Sequence, residues 1–369
     1  MTVPQLEILL IAAVTASACA LVGVFLVLRR MAMMSDAISH AILFGIVLAF
    51  FVTKDLASPL LAVAAALTGV LTVSLVELVS RSGRVREDAA IGLVFPVLFS
   101  LGVILIARHA GSVHLDVDAV LLGELAFAPF NRLEAFGYDL GPRGLYLMSG
   151  ILAFDVIFIG VFYKELKVAT FDPGLAGALG FAPGLIHYAL MALVSVTAVG
   201  AFDAVGSILV VALMIAPPAT AYMLVERLSR MLLLSMLFGV ASAVSGYWIA
   251  HLLDASIAGS MASMTGIFFG LACLFAPGRG IVALVTRRRR QRLEFAQTML
   301  TVHLYNHEGL PEAMRENTVS HLHERLKWES SFAERAVAAA ERRGLVTRIR
   351  GYLFLTEDGR GAARKAMVG

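Results

Sequence analysis

Charge is scarce in this chain. Only 15 % of its 369 residues are Asp, Glu, Lys or Arg, while 59 % are hydrophobic; soluble domains carry about a quarter charged residues. A soluble globular class is thereby excluded. Cysteine is scarcer still. Cys19 and Cys273 are the only two, and both fall inside apolar runs, which excludes a disulfide framework or a thiolate metal site and leaves packing as their role. No Gly-x-x-x-x-Gly-Lys-Ser/Thr run occurs, so the chain has no P-loop with which to bind ATP. Intramembrane carboxylates beyond Asp36, Glu77 and Asp155 are scarce, which argues against a carrier that couples transport to protons or other ions through buried acids.

Long apolar runs are what the chain has in abundance. Nine are long enough to span a bilayer: 6–28, 34–52, 57–79, 90–107, 144–163, 185–201, 204–224, 231–252 and 257–276. Only Phe202-Asp203 separates the sixth from the seventh, so the count becomes eight if one of the runs is re-entrant. The first run leads into Arg29-Arg30 rather than a small-residue cleavage site, which is not the pattern of a signal peptide. Ten Lys/Arg between Arg29 and Arg279 fall in loops on one side, against Lys54, Arg108, Arg132 and Arg143 on the other. The positive-inside rule then predicts an outside N-terminus and a cytoplasmic C-terminus.

Within this apolar background, Asp36-Ala-Ile-Ser-His40 sets a carboxylate and an imidazole four residues apart. On a helix both project from one face. Counted from Arg30 at 1.5 Å per residue, they lie about 9 Å and about 15 Å into the membrane, where ionisable groups are expensive and serve transport or catalysis. Together they form half of a binding site for Mn²⁺, Fe²⁺ or Zn²⁺. Ser39 is expected to hydrogen-bond its own helix backbone.

Three other segments stand out. The run 163–184 predicts a short helix starting at Asp172-Pro173, with Ala176 and Gly180 at helical spacing so that another surface can approach closely. Pro217-Pro218 sits mid-span and is expected to break or kink its helix. The outer loop 108–143 holds His109, His114, Asp116, Asp118, Glu124, Glu134 and Asp139, which reads first as ordinary loop polarity.

After Arg287–Arg290 the composition changes. Residues 287–369 carry 16 Lys/Arg and 10 Asp/Glu, a net +6, which leaves −3 for the first 286 residues out of the chain's +3. The spacing predicts helices over 293–307, 316–328 and 330–343, two short strands around Arg350-Gly351, and a helix near 358–367. Helices followed by a β-hairpin describe a winged helix. His303 and His307 are four apart, near His321 and His323 and beside Glu308 and Glu324, and read first as surface histidines. Arg335, Arg342, Arg343, Arg348 and Arg350 would suit phosphate contacts, but Lys and Arg beside a membrane also favour anionic lipid.

RRMAMMSDAISHAILFGIVLAF, FDPGLAGALGF, GSILVVALMIAPPATAYML and GYWIAHLLDASIAGSMASMTGIFFGLACLFAP, in that order, resemble the permease subunits of ATP-binding-cassette importers for manganese, zinc and iron(II) over about residues 5–280. AERRGLV…GYLFLTEDGRGAA is similar to the DNA-binding part of iron-dependent repressors. The importer resemblance implies that Asp36 and His40 hold the metal in transit. It also implies that Phe171, Asp172, Ala176 and Gly180 lie on the segment that docks on the ATPase.

The expectation is an all-α integral membrane protein of eight to nine transmembrane helices, residues 1–286, followed by a small α+β winged-helix-like cytoplasmic domain, residues 287–369. The implied function is the permease subunit of an ATP-driven importer in a bacterial-type plasma membrane. It would have no resident cofactor and would carry Mn²⁺ first, then Zn²⁺, then Fe²⁺ by alternating access. Its partners would be a separate ATPase, a second permease chain, an extracytoplasmic metal-binding protein and the lipid bilayer, with nucleic acid not expected. The competing classes are an ion-coupled secondary metal transporter and a membrane-anchored metal-sensing regulator.

Overall fold

The computed structural model describes residues 2–55, 58–109, 125–135, 138–311 and 317–368. His114, Asp116, Asp118 and Glu124 lie outside them, as do the side chains of His109, Glu134, His323 and Glu324. The chain divides into two compact units, one ending at Ala276 and the other beginning at Pro277. That boundary lies ten residues before the compositional change at Arg287, because the second unit's first helix opens on the apolar residues Ile281–Val285.

Among the described residues of the first unit, nine helices are long and apolar enough to cross a membrane. They are α1 (Val3–Leu28), α2 (Met33–Thr53), α3 (Pro59–Ser80), α4 (Glu87–His109), α5 (Arg143–Val161), α8 (Pro183–Val205), α9 (Ser207–Leu224), α10 (Leu228–Leu253) and α11 (Ile257–Phe275). Two short helices, α6 (Tyr163–Phe171) and α7 (Pro173–Ala178), sit between α5 and α8. A small hairpin, β1 (Arg132–Ala135) with β2 (Tyr138–Pro142), precedes α5.

α1 is the enclosed centre: every residue from Thr15 to Leu26 is buried, among α5, α8, α9 and α10. Small residues make this possible, since without water to expel, membrane helices gain most by close van der Waals approach. A Cβ on Gly23 would collide with the backbone carbonyl of Met214 on α9. Gly23→Val is therefore expected to destabilise the bundle by about 1–3 kcal/mol, read as a lower thermal midpoint of the purified protein.

Two sequence expectations are corrected in α8 and α9. The break between them falls at Gly206 (φ +81°, ψ 165°), a backbone that favours glycine, and not at Phe202-Asp203, which remain helical. Of the break or kink expected at Pro217-Pro218, the break does not occur: α9 runs from Ser207 to Leu224 with both prolines inside it. Pro218 has no N–H for the carbonyl of Met214. That same carbonyl is the one packed against Gly23, so the lost bond falls where two backbones meet closely.

The second unit comprises α12 (Ile281–His307), α13 (Val319–Leu326), α14 (Ser330–Arg342), β3 (Val346–Ile349), β4 (Tyr352–Leu355) and α15 (Glu357–Val368). Leu300, Leu304, Leu322, Val337, Val346 and Leu353 form its core. The hairpin turns at Arg350-Gly351 with φ of +52° and +89°, the two positive values of a tight two-residue turn. α12 starts twelve residues earlier than its apolar spacing predicts, because its first turns do not pack on this core.

Arg360 on α15 grips Glu308 through Nη2 (2.7 Å) and Nε (2.9 and 3.1 Å), and this holds the Glu308 carboxyl below its ordinary range. A depressed carboxylate stabilises the folded form above the unfolded pKa of about 4.3, and the gain is lost as pH falls through the lower folded value. Amide-exchange protection of α15, taken relative to the intrinsic rate at each pH, is expected to fall below about pH 4, and Glu308→Gln should remove that pH dependence.

Candidate metal centre

A tight link joins α1 to α2, with Arg30 in the left-handed region (φ +62°). Asp36 follows in the first turn of α2, where the helix dipole favours a carboxylate. His40 Nε2 lies 3.3 Å from Asp36 Oδ1. The His40 ring stacks on Phe95 of α4 (centroids 5.9 Å) and meets the edge of Phe99 (6.1 Å), so two aromatic rings fix its plane. Ser39 turns away: its Oγ donates to the Ser35 carbonyl (2.8 Å).

The pair is not enclosed. The His40 and Asp36 side chains are 32 % and 37 % exposed, and they share a stripe of α2 with exposed Met33 and Leu48 and half-buried Phe44. Between them they offer an imidazole nitrogen and carboxylate oxygens, a mixed donor set suited to Mn²⁺, Fe²⁺ or Zn²⁺. Among the described residues no group of three or more His, Cys, Asp or Glu gathers around a common point. One chain thus brings two candidate donors together, fewer than the four of a closed shell.

At the other candidate site, Asp172 lies between α6 and α7. Its Oδ1 accepts the Leu175 N–H (2.9 Å), which caps α7. The structure does not bring Ala176 and Gly180 to a common outer face. Ala176 is fully buried, and Gly180 (φ +86°) lies beyond the helix end. Phe171, Leu175 and Leu179, each about half exposed or more, occupy the outer surface instead.

Two further polar clusters were given no role by the sequence reading, although Asp155 was noted there as an intramembrane acid. Arg29, which ends α1, donates from Nε to Thr170 Oγ1 on α6 (3.3 Å) and from Nη1 to His187 Nδ1 on α8 (3.0 Å). It thereby joins the capped segment to the link that leads into Asp36. Asp155 is fully buried, with Thr197 Oγ1 at 3.0 and 3.2 Å from its two oxygens. Asp155 had a signal, an acid in an apolar run; the Arg29–Thr170–His187 triple spans more than 140 residues of sequence and had none.

Nine membrane-length helices among the described residues, with a part-exposed Asp–His pair on the second and a short capped helix between spans, describe an integral membrane protein of the multi-span class. Residues 5–276 match the ABC 3 transport family, and the chain belongs to it. It is 47 % identical over 354 residues to the zinc transport system membrane protein TroD of Treponema pallidum, covering 96 % of each chain. It is 48 % identical over 278 residues to the manganese transport system membrane protein MntD of Bacillus subtilis, covering 75 % of this chain and 94 % of that one. Among solved structures it resembles PsaBC of Streptococcus pneumoniae, described in complex with Fab, with a TM-score of 0.64 and 29 % identity over 77 % of this chain and 96 % of that one.

Proposed function

We propose that this chain is the permease subunit of an ATP-driven importer of a divalent transition-metal ion, in which Asp36 and His40 bind the ion during its passage. The observation that carries this reading is the exposure of the pair. A carboxylate and an imidazole left a third exposed at membrane depth cannot face hydrocarbon without large cost. They call for a polar cover. A second permease chain meeting the same stripe of α2 supplies one, and two Asp and two His then complete the coordination shell of a single ion. The names of the relatives point to Mn²⁺ and Zn²⁺ as cargo, and the Asp/His donor set suits both.

The remaining parts follow the same logic. With no P-loop in the sequence, energy comes from a separate ATPase, which docks on Phe171, Asp172 and the exposed side of α7. A soluble metal-binding protein delivers the ion from outside, where the N-terminus lies. ATP-driven movement of the α6–α7 segment opens the ion's route to the cytoplasm, where residues 287–369 form a winged-helix-like regulatory domain. The test is metal accumulation by the complete transporter in proteoliposomes with Mn²⁺, Zn²⁺ or Fe²⁺ offered singly and in competition. ATP-dependent accumulation of at least one of them is expected. Accumulation that persists without the ATPase would overturn the reading in favour of a secondary carrier.

A further inference from the structure

The first three turns of α12 have no place in the core of their own unit. From Ile281 to Arg292 every residue is exposed except Ala283, which is half-buried. Packing begins only at Leu293 and Ala296, which meet Trp328, Phe332 and Ala336. A helix that projects in this way is ordinarily polar all round. This one is banded. Ile281, Val282, Leu284 and Val285 come first, each 43–50 % exposed, and Arg287 to Arg290 follow directly. No acidic residue occurs between Ile281 and Leu293. Arg290 reaches back to Glu294 (3.0 Å), whereas the side chains of Arg287, Arg288 and Arg289 extend from the helix.

Chain connectivity sets where these bands can be. The last membrane-length helix, α11, ends at Phe275, and α12 begins at Ile281, so five residues separate a membrane span from the apolar turn. At 1.5 Å per residue the apolar band is about 7.5 Å long. The boundary between acyl chains and headgroups takes up apolar surface to a depth of about 5–10 Å, which the band matches when the helix enters by its N-terminal end. The four arginines then fall at the level of the lipid phosphates, which their planar donors bind in pairs. Purely solvated charge would not account for the exposed apolar turn, and a nucleic-acid surface would not need one.

We infer that the first three turns of α12 dock into the face of the bilayer at which α11 ends, with Ile281–Val285 in the acyl boundary and Arg287–Arg290 bound to the phosphates of anionic phospholipids. The inference depends on α11 crossing the membrane and not on the ion carried. It gives the second unit a salt-sensitive hold on the membrane in addition to its covalent tether.

The test uses the full chain with Cys273→Ser and Thr286→Cys, labelled at position 286 with an environment-sensitive dye and reconstituted in nanodiscs. One set holds phosphatidylcholine alone, the other a third phosphatidylglycerol. A blue-shifted emission in the anionic discs is expected, reversed at 1 M NaCl, where the screening length falls to about 3 Å. Arg287→Gln, Arg288→Gln, Arg289→Gln and Arg290→Gln combined should abolish the shift; unchanged amide-exchange protection of β3 and β4 would show the unit still folded. Identical emission in the two discs, or the same shift with and without the arginines, would overturn the inference. So would a shift in neutral discs on adding a duplex DNA fragment, since nucleic acid would then be the ligand.

Discussion

Asp36→Ala and His40→Ala, made singly, are each expected to reduce metal accumulation by more than about 100-fold while the protein is still made and inserted. Changes to residues that merely orient metal ligands cost about 10–100-fold; on the proposed reading a ligand itself is removed. If the second chain is a copy of the first, each substitution deletes two of the four proposed donors. The His40 ring packs against Phe95 and Phe99 at about 6 Å, so His40→Ala also leaves a gap. His40→Gln, which fills more of that space without the imidazole, separates the effects. Loss with His40→Ala and recovery with His40→Gln would mean that the ring is packing and not a ligand. Uptake surviving both Asp36→Ala and His40→Ala would make the pair a structural pin between helices.

The second large effect is expected at the capped segment. Asp172→Ala deletes the acceptor for the Leu175 N–H, and loss of such a cap costs about 0.5–2 kcal/mol. A six-residue helix has little else to hold it, since isolated helices of that length are not stable in water. α7 is not one of the membrane-length helices, so insertion and thermal midpoint should be nearly unchanged while uptake collapses with Asp36 and His40 intact. Phe171→Asp should act differently. It leaves the cap in place but puts a charge on an exposed aromatic position, so ATPase copurification is the measurement that falls. If Asp172→Ala and Phe171→Asp both leave uptake and copurification unaltered, the ATPase docks elsewhere.

These two sites differ in how far they could be read without a structure. The Asp36–His40 pair was legible because its geometry is local: four residues on a helix share a face whatever surrounds them. Its exposure, on which the case for a second chain rests, was not legible, because it depends on α4 covering one side of the ring with Phe95 and Phe99 and leaving the other open. The capped helix was legible at Asp172-Pro173 for the same local reason. Its working face was not. Ala176 and Gly180 fit a small-residue face by spacing alone, but the bundle buries the first, and the second takes a positive φ that terminates the turn.

The same division runs through the fold. Hydrophobic length determined eight to nine spans and their approximate limits, because a membrane core of about 30 Å imposes a length on each helix separately. Local turn chemistry determined the hairpin at Arg350-Gly351. Only tertiary structure decided that α9 continues through Pro217-Pro218, since an unmet carbonyl is tolerated where the Gly23 backbone comes against it. Only tertiary structure put the α8–α9 break at Gly206 rather than at Phe202-Asp203, and only it brought Arg29, Thr170 and His187 together from three separate helices. Periodicity and propensity act over a few residues, whereas a contact between remote segments exists only once the whole chain has packed.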